Sequence, residues 1–171
     1  MNMNAASPVS KEIERRFLVP LAEATQRAIS RATRYIEQCY LDDSGSWQIR
    51  SRMKLVDGQR EYFLTMKKRT GHGECIEIEL PGSVDAHAQV IQNCGTVLGK
   101  TRTEHPLSNG HVLELDIFRD EDLLPGYAIA EVELATINDD ISLPHWIGRE
   151  ITGDHQYSNH HLFQRLLQRA S

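Results

Sequence analysis

The 171-residue chain carries 19 Lys and Arg against 24 Asp and Glu, a formal net charge of −5 with neutral histidine. That balance excludes the broadly basic surface of a general nucleic-acid binder, so a bound anion has to be met by a local cluster of cations. Hydrophobic residues make up 40% of the chain with no run of transmembrane length, and Cys39, Cys75 and Cys94 share no metal-binding or redox spacing, so we expect a cytoplasmic protein with no membrane partner.

In chain order, residues 1–10 read as a flexible tail that lacks the apolar stretch of a signal peptide. Residues 11–171 read as a single domain, because no repeat or low-complexity linker divides them. Alternation of apolar and polar residues predicts eight strands, at 12–19, 35–41, 47–55, 61–67, 74–80, 100–104, 112–118 and 128–135. Asp42-Asp43-Ser44-Gly45, Asp57-Gly58 and Ser108-Asn109-Gly110 read as hairpin turns, which favour an antiparallel sheet.

Three stretches read as helices. The first, 21–32, follows Pro20 and is rich in helix formers. The second, 84–98, has Ser83 as a cap and Val90, Ile91, Val97 and Leu98 spaced for a buried face. The third follows Ser158 and carries Leu162, Phe163, Leu166 and Leu167. Eight strands with a few helices make an α+β domain whose sheet is free to stay open or to close on itself.

Charge falls on these strands in stripes two residues apart. Glu12, Glu14 and Arg16 share one face of the first strand. Arg50, Arg52 and Lys54 follow on the third, Glu77 and Glu79 on the fifth, Lys100 and Arg102 on the sixth, Glu114 and Asp116 on the seventh, and Glu131 and Glu133 on the eighth. Alternation fits either a solvated face over an apolar core or a charged interior with its apolar side covered by helices. The near-exclusive use of Glu, Asp, Arg and Lys shifts the balance towards the second. If the faces converge, the carboxylates are hard oxygen ligands suited to Mg²⁺ or Mn²⁺, and the cations suit a polyphosphate.

These motifs resemble the CYTH family, the triphosphate tunnel metalloenzymes. Glu12-Ile13-Glu14-Arg15-Arg16 is similar to the family's Glu-x-Glu-x-Lys hallmark. Ile49-Arg50-Ser51-Arg52, Leu64-Thr65-Met66-Lys67 and Lys100-Thr101-Arg102 resemble its basic strands. Glu114-Leu115-Asp116-Ile117-Phe118 and Ala130-Glu131-Val132-Glu133-Leu134 resemble its acidic ones. Gly148-Arg149-Glu150-Ile151-Thr152, followed by Tyr157-Ser158-Asn159, also fits.

The resemblance implies a closed eight-stranded antiparallel β-barrel with flanking helices and a C-terminal helix near one mouth. It implies an enzyme, a metal-dependent triphosphatase acting on a triphosphate-containing small molecule, with inorganic triphosphate as the first substrate. A class IV-type adenylate cyclase, a thiamine triphosphatase and a non-catalytic polyphosphate-binding module are the alternatives. By position, Glu12, Glu14, Asp116, Glu131 and Glu133 would form the metal site for Mg²⁺ or Mn²⁺. Arg50, Arg52, Lys67, Lys100 and Arg102 would hold phosphates, and Glu12, Glu14, Arg16, Glu131 and Glu133 would be catalytic. The family often forms dimers, so a homodimer is one assembly to expect. The chain departs from the pattern at Arg16, a planar cation that stays protonated where the motif has lysine. It departs again at Cys75, where many members carry arginine, with Lys68 or Arg69 as the compensating cation.

Other features are expected to be structural. Gly95-Thr96-Val97-Leu98-Gly99-Lys100-Thr101 has one residue too few for a P-loop and runs into a strand. The eight histidines lack metal spacing and are expected at the surface. Trp47 and Trp146 are expected to pack, and Tyr157 and Asn159 to brace the C-terminal segment.

Overall fold

The computed structural model describes residues 9–42 and 46–170. Eight antiparallel strands close into a barrel: β1 (Val9–Pro20), β2 (Thr33–Asp42), β3 (Gln48–Val56), β4 (Gln59–Gly71), β5 (Glu74–Pro81), β6 (Leu98–Pro106), β7 (Val112–Phe118) and β8 (Tyr127–Glu133). Three helices flank them: α1 (Leu21–Ala28), α2 (Val84–Cys94) and α3 (Asn159–Ala170). All eight expected strands are present. β1 begins at Val9, so Val9 and Ser10 belong to the barrel, opposite Ile78 and Glu77. The rest of the expected tail lies outside the described residues, as does most of the turn at 42–45.

Around the barrel the order is β1-β5-β4-β3-β2-β6-β7-β8. The run β2 to β5 is built by local pairing. The turn at Asp57 (φ 49°) and Gly58 (φ 78°) joins β3 to β4, two adjacent left-handed residues of the kind a tight hairpin needs. Closure depends on β1, which changes partner along its length. Val9 to Ile13 pair with β5, whereas Glu14 to Pro20 pair with β8. Where β5 has ended, the segment 148–151 covers the freed edge of β1. Gly148 N donates to Leu18 O (2.9 Å), Leu18 N to Arg149 O (2.9 Å) and Ile151 N to Arg16 O (2.8 Å). Gly148 allows that approach, since a Cβ there would sit 2.7 Å from Leu18 O.

The apolar faces point outward. Phe17, Val19, Leu113, Leu115, Ala128, Ala130 and Val132 form one core under α1 and the 141–147 segment. A second core lies where α2 and α3 pack. There Leu18, Leu98, Phe118 and Ile129 extend the inward-facing series beyond its charged zone and meet Leu162 and Phe163 of α3. Burying such side chains against the barrel stabilises by about 1.5–3 kcal/mol each, which anchors α3 across that end.

Ser83 caps α2 by accepting from Ala86 N (3.2 Å), and Ser158 Oγ accepts from His161 N (3.2 Å) in α3. The second helix is shorter than its periodicity predicts. Gly95 (φ 73°) donates its N–H to Ile91 O and ends α2 at Cys94, a left-handed glycine cap. Leu98 therefore opens β6, and Lys100 stands in a strand, where no phosphate loop can form. The first helix is also shorter, stopping at Ala28 and leaving Ile29 exposed. Two histidines depart from the surface expectation. His87 on α2 is buried with Nδ1 2.8 Å from Ser51 Oγ, and buried His105 has Nε2 3.0 Å from Thr103 Oγ1.

Candidate active site

Because successive strand residues alternate sides, the outward apolar faces send the charged stripes into the barrel. The lumen is lined by Glu12, Glu14 and Arg16 from β1, Arg50 and Arg52 from β3, and Lys67 and Arg69 from β4. Glu77, Lys100, Arg102, Glu114, Glu131 and Glu133 complete its charged wall. The free volume among them is about 130 Å³. Ten of the side chains expected at the site from the sequence therefore line this space. Asp116 shares their inward face but is fully buried, covered by Lys100 and Arg102.

Asp116 is enclosed by cations. Its Oδ2 accepts from Lys100 Nζ (2.5 Å) and Arg102 Nη2 (2.6 Å), and its Oδ1 from Arg102 Nε (2.6 Å). Arg102 continues to Glu114 and to Glu131 Oε2 (2.7 Å). Arg16 takes the other oxygen of Glu131 through Nε (2.9 Å), while its Nη2 donates to the Tyr157 carbonyl (3.1 Å). Burial alone would raise the Glu131 carboxyl, but Arg16, Lys100 and Arg102 overcome it and hold that acid far below its ordinary range. Burial likewise lowers the Lys100 ammonium, against the pull of Asp116.

Across the lumen, β3, β4 and β5 pair their charges. Arg50 meets Glu77 (3.2 Å), Arg52 meets Glu79 (3.2 Å), and Lys67 donates to Glu12 (2.7 Å). Burial opposes ionisation of Glu12, yet Lys67 outweighs it and the net shift is downward. Glu77 moves up, raised by burial and by neighbouring Glu12, with Arg50 opposing. The Cys75 thiol, next to Glu12 Oε2 (3.5 Å), is pushed up to about 11, chiefly by burial.

Glu133 is not balanced in this way. It stands opposite Glu14 in the β1–β8 ladder, whereas Glu114 and Glu131, opposite each other in the β7–β8 ladder, both meet Arg102. Glu133 is raised first by burial and then by Glu12, Glu114 and Glu14. Such crowding is costly until a cation enters, and the donors are carboxylate oxygens, the set that suits a hard divalent ion. Among the described residues no three acidic, His or Cys side chains already form a metal cage; Glu12 and Glu131 are held by Lys67, Arg16 and Arg102 instead.

Several lining residues were not expected at the site from the sequence. Gln38, Tyr40 and Gln48 face the lumen without charge. Ser158, Asn159 and His160, read there as a cap, a brace and a surface histidine, reach it from the start of α3. Their positions depend on register and on how α3 docks. Glu77 and Glu114 carried a signal, the two-residue stripe they share with Glu79 and Asp116. Tyr157 does brace the C-terminal segment, its carbonyl accepting from Arg16 and its hydroxyl from Arg149 (2.9 Å). A side cavity of about 250 Å³ adjoins the tunnel between the β4–β5 hairpin and the turn at 153–155.

The model of the CYTH domain family matches residues 10–165. An inorganic triphosphatase from Acetivibrio thermocellus is 29% identical over 156 residues, 90% of this chain and 94% of that protein. A crystal structure of an inorganic triphosphatase is 30% identical with a TM-score of 0.57, covering 86% of this chain and 91% of the other. A Pyrococcus horikoshii protein, 19% identical with a TM-score of 0.54 over 74% of this chain and 80% of its own, shares the fold.

Proposed function

Because the chain belongs to the CYTH domain family, we propose that it is a divalent-metal-dependent triphosphatase whose first substrate is inorganic triphosphate. The observation that carries this reading is the lumen itself, where Arg50, Arg52, Lys67, Lys100 and Arg102 face Glu12, Glu14, Glu131 and Glu133 across one enclosed space. The kinship to inorganic triphosphatases supports the substrate.

The reaction needs little covalent work from protein groups. Water attacks the terminal phosphorus, the bridging P–O bond breaks, and phosphate and pyrophosphate result. Arg50, Arg52 and Lys67 bind the phosphate oxygens and set the chain in line with the attacking water. Lys100 and Arg102, fixed by Asp116, present charge that does not have to reorganise as the leaving group forms. Glu12, Glu14, Glu131 and Glu133 would hold the divalent ion and orient the water. The ion, when bound, neutralises phosphate charge and polarises the terminal phosphoryl group. Closure of the barrel and the apolar end under α3 limits bulk water, which strengthens every one of these interactions.

The purified protein should be incubated with Mg²⁺ or Mn²⁺ and inorganic triphosphate, ATP or thiamine triphosphate, following phosphate, pyrophosphate and cyclic AMP separately. Phosphate release from triphosphate that stops on chelation is the expected result. Cyclic AMP with pyrophosphate from ATP would replace the hydrolase with a cyclase. Tight binding without turnover would leave a binding module.

A further inference from the structure

Arg69 differs from every other cation of the tunnel wall. Arg16, Arg50, Arg52, Lys67, Lys100 and Arg102 each meet at least one carboxylate. Among the described residues, Arg69 instead contacts neutral groups: its Nη1 donates to the Gly153 carbonyl (3.2 Å) and lies 3.4 Å from His155 Nε2. It stands two residues beyond Lys67 on β4, so both project to the same side, and its partner in the β4–β5 ladder is Cys75, which brings no charge. Lys68 has the opposite phase and lies over the Trp47 ring, 5.9 Å from its centroid. Arg69 lines both the tunnel and the side cavity, and so occupies the junction between them.

A phosphate approaching a cation already paired to a carboxylate must share that cation or displace its partner. At Arg69 an anion replaces a carbonyl and an imidazole, which a charged phosphate oxygen does with net gain. The guanidinium fork also matches two oxygens of one phosphate. We infer that Arg69 is a further substrate-binding residue, holding the phosphate at one end of the triphosphate chain where the tunnel opens into the side cavity. The inference rests on the triphosphate reading above and adds a measure of chain length to it. In this placement Arg50, Arg52 and Lys67 hold the first two phosphates and Arg69 the third, so a two-phosphate chain brings no group to Arg69.

Calorimetric titration of the chelator-treated protein with inorganic triphosphate and with pyrophosphate tests this without requiring turnover. Arg69→Ala should weaken triphosphate binding about tenfold, as expected for one charge-assisted contact, and pyrophosphate binding less than threefold. Arg69→Lys should fall between wild type and Arg69→Ala, and Lys68→Ala should match wild type. Arg69 is exposed, so its replacement leaves the barrel packing intact. Equal losses for both anions, or no loss, would overturn the subsite. Wild-type protein that binds triphosphate and loses that affinity in Arg69→Ala, yet releases no phosphate with Mg²⁺ or Mn²⁺, would sink the triphosphatase reading and leave the subsite standing. Wild-type protein that binds neither anion would overturn the subsite, and phosphate release from triphosphate with Mg²⁺ or Mn²⁺ would then decide the triphosphatase reading separately.

Discussion

Glu14 and Glu133 face each other directly across the β1–β8 ladder. Directly opposed side chains on one sheet face have Cβ atoms about 4.5–5.5 Å apart, and like charges so placed repel. Glu12 and Glu114 add to the field at Glu133, whose carboxyl is raised by burial first and by these neighbours next. Carboxyl groups crowded in this way are suited to receive a cation. Glu133→Gln and Glu12→Gln should each lower Mn²⁺-dependent phosphate release at least a hundredfold. Glu133→Gln should also raise the metal-free melting temperature by about 1–2 °C, a small gain because the side chain is only partly withdrawn from solvent. Unchanged hydrolysis in both variants would show that the metal sits elsewhere.

The same carboxyls predict an unusual pH profile. Glu77, Glu114 and Glu133 are raised in the folded protein. They bind protons more tightly folded than unfolded, so acidification towards the unfolded value of 4.5 adds stability. Glu12 and Glu131 are lowered; their contribution is fully present above 4.5 and is lost as pH falls through their folded values. Between pH 7 and about 5 this gain is opposed by buried His87 and His105, whose imidazoles are lowered chiefly by burial and which resist the protonation they would accept unfolded. The melting temperature of the metal-free protein should drop below about pH 4 as Glu12 and Glu131 protonate. The melting-temperature advantage of Glu133→Gln over wild type should shrink from pH 7 to about 5, and an advantage that does not change with pH would contradict the raised carboxyl.

Arg16 spans two partners that one ammonium would struggle to serve together. Its Nε binds Glu131 and its Nη2 binds the Tyr157 carbonyl, tying an acid of the tunnel to the segment that leads into α3. Arg16→Lys keeps the charge and loses one of those contacts, for a cost of about 1–2 kcal/mol. Thermal unfolding should report that loss, and kcat/KM should change with it as Glu131 shifts. A variant identical to wild type in both would place Arg16 outside the working site.

Asp116 was expected among the metal ligands, yet both its oxygens are taken by Lys100 and Arg102. We propose that it acts through those cations. Asp116→Ala should destabilise by about 3–5 kcal/mol, since it strips compensation from two buried charges. Asp116→Asn, which keeps the shape, should fold and bind Mn²⁺ within threefold of wild type while its KM for triphosphate rises. A tenfold or greater loss of Mn²⁺ affinity in Asp116→Asn would restore Asp116 to the metal site.

Much of this was legible from residue order. The stripes at Glu12/Glu14/Arg16 and Glu131/Glu133 placed side chains on a common strand face by period alone. Ser83 and Ser158 marked helix starts because a hydroxyl satisfies amides the helix leaves open. The end of α2 was misplaced because Val97 and Leu98 continue a helical spacing past Gly95, whose left-handed backbone overrides it. His87 looked like a surface residue because its hydroxyl partner, Ser51, lies 36 positions away, and His105 because its burial comes with packing against Trp146, which is distant in sequence.

The sequence by itself determined the eight strands and the charged stripes along them, since both follow from local alternation and turn chemistry. It also determined the chemistry on offer, carboxylates for a hard cation and guanidinium and ammonium groups for phosphate. Only the tertiary structure decided which side of the sheet was inside, because alternation is symmetric and the placement of α1, α2 and α3 breaks that symmetry. Tertiary structure likewise separated Asp116, enclosed by Lys100 and Arg102, from Glu133, which is left facing other acids. The fate of Asp116 depends on the register of β6 against β7, 14 to 16 positions away. That of Glu133 depends on β1 changing partners at Glu14, a relation between residues more than a hundred positions apart.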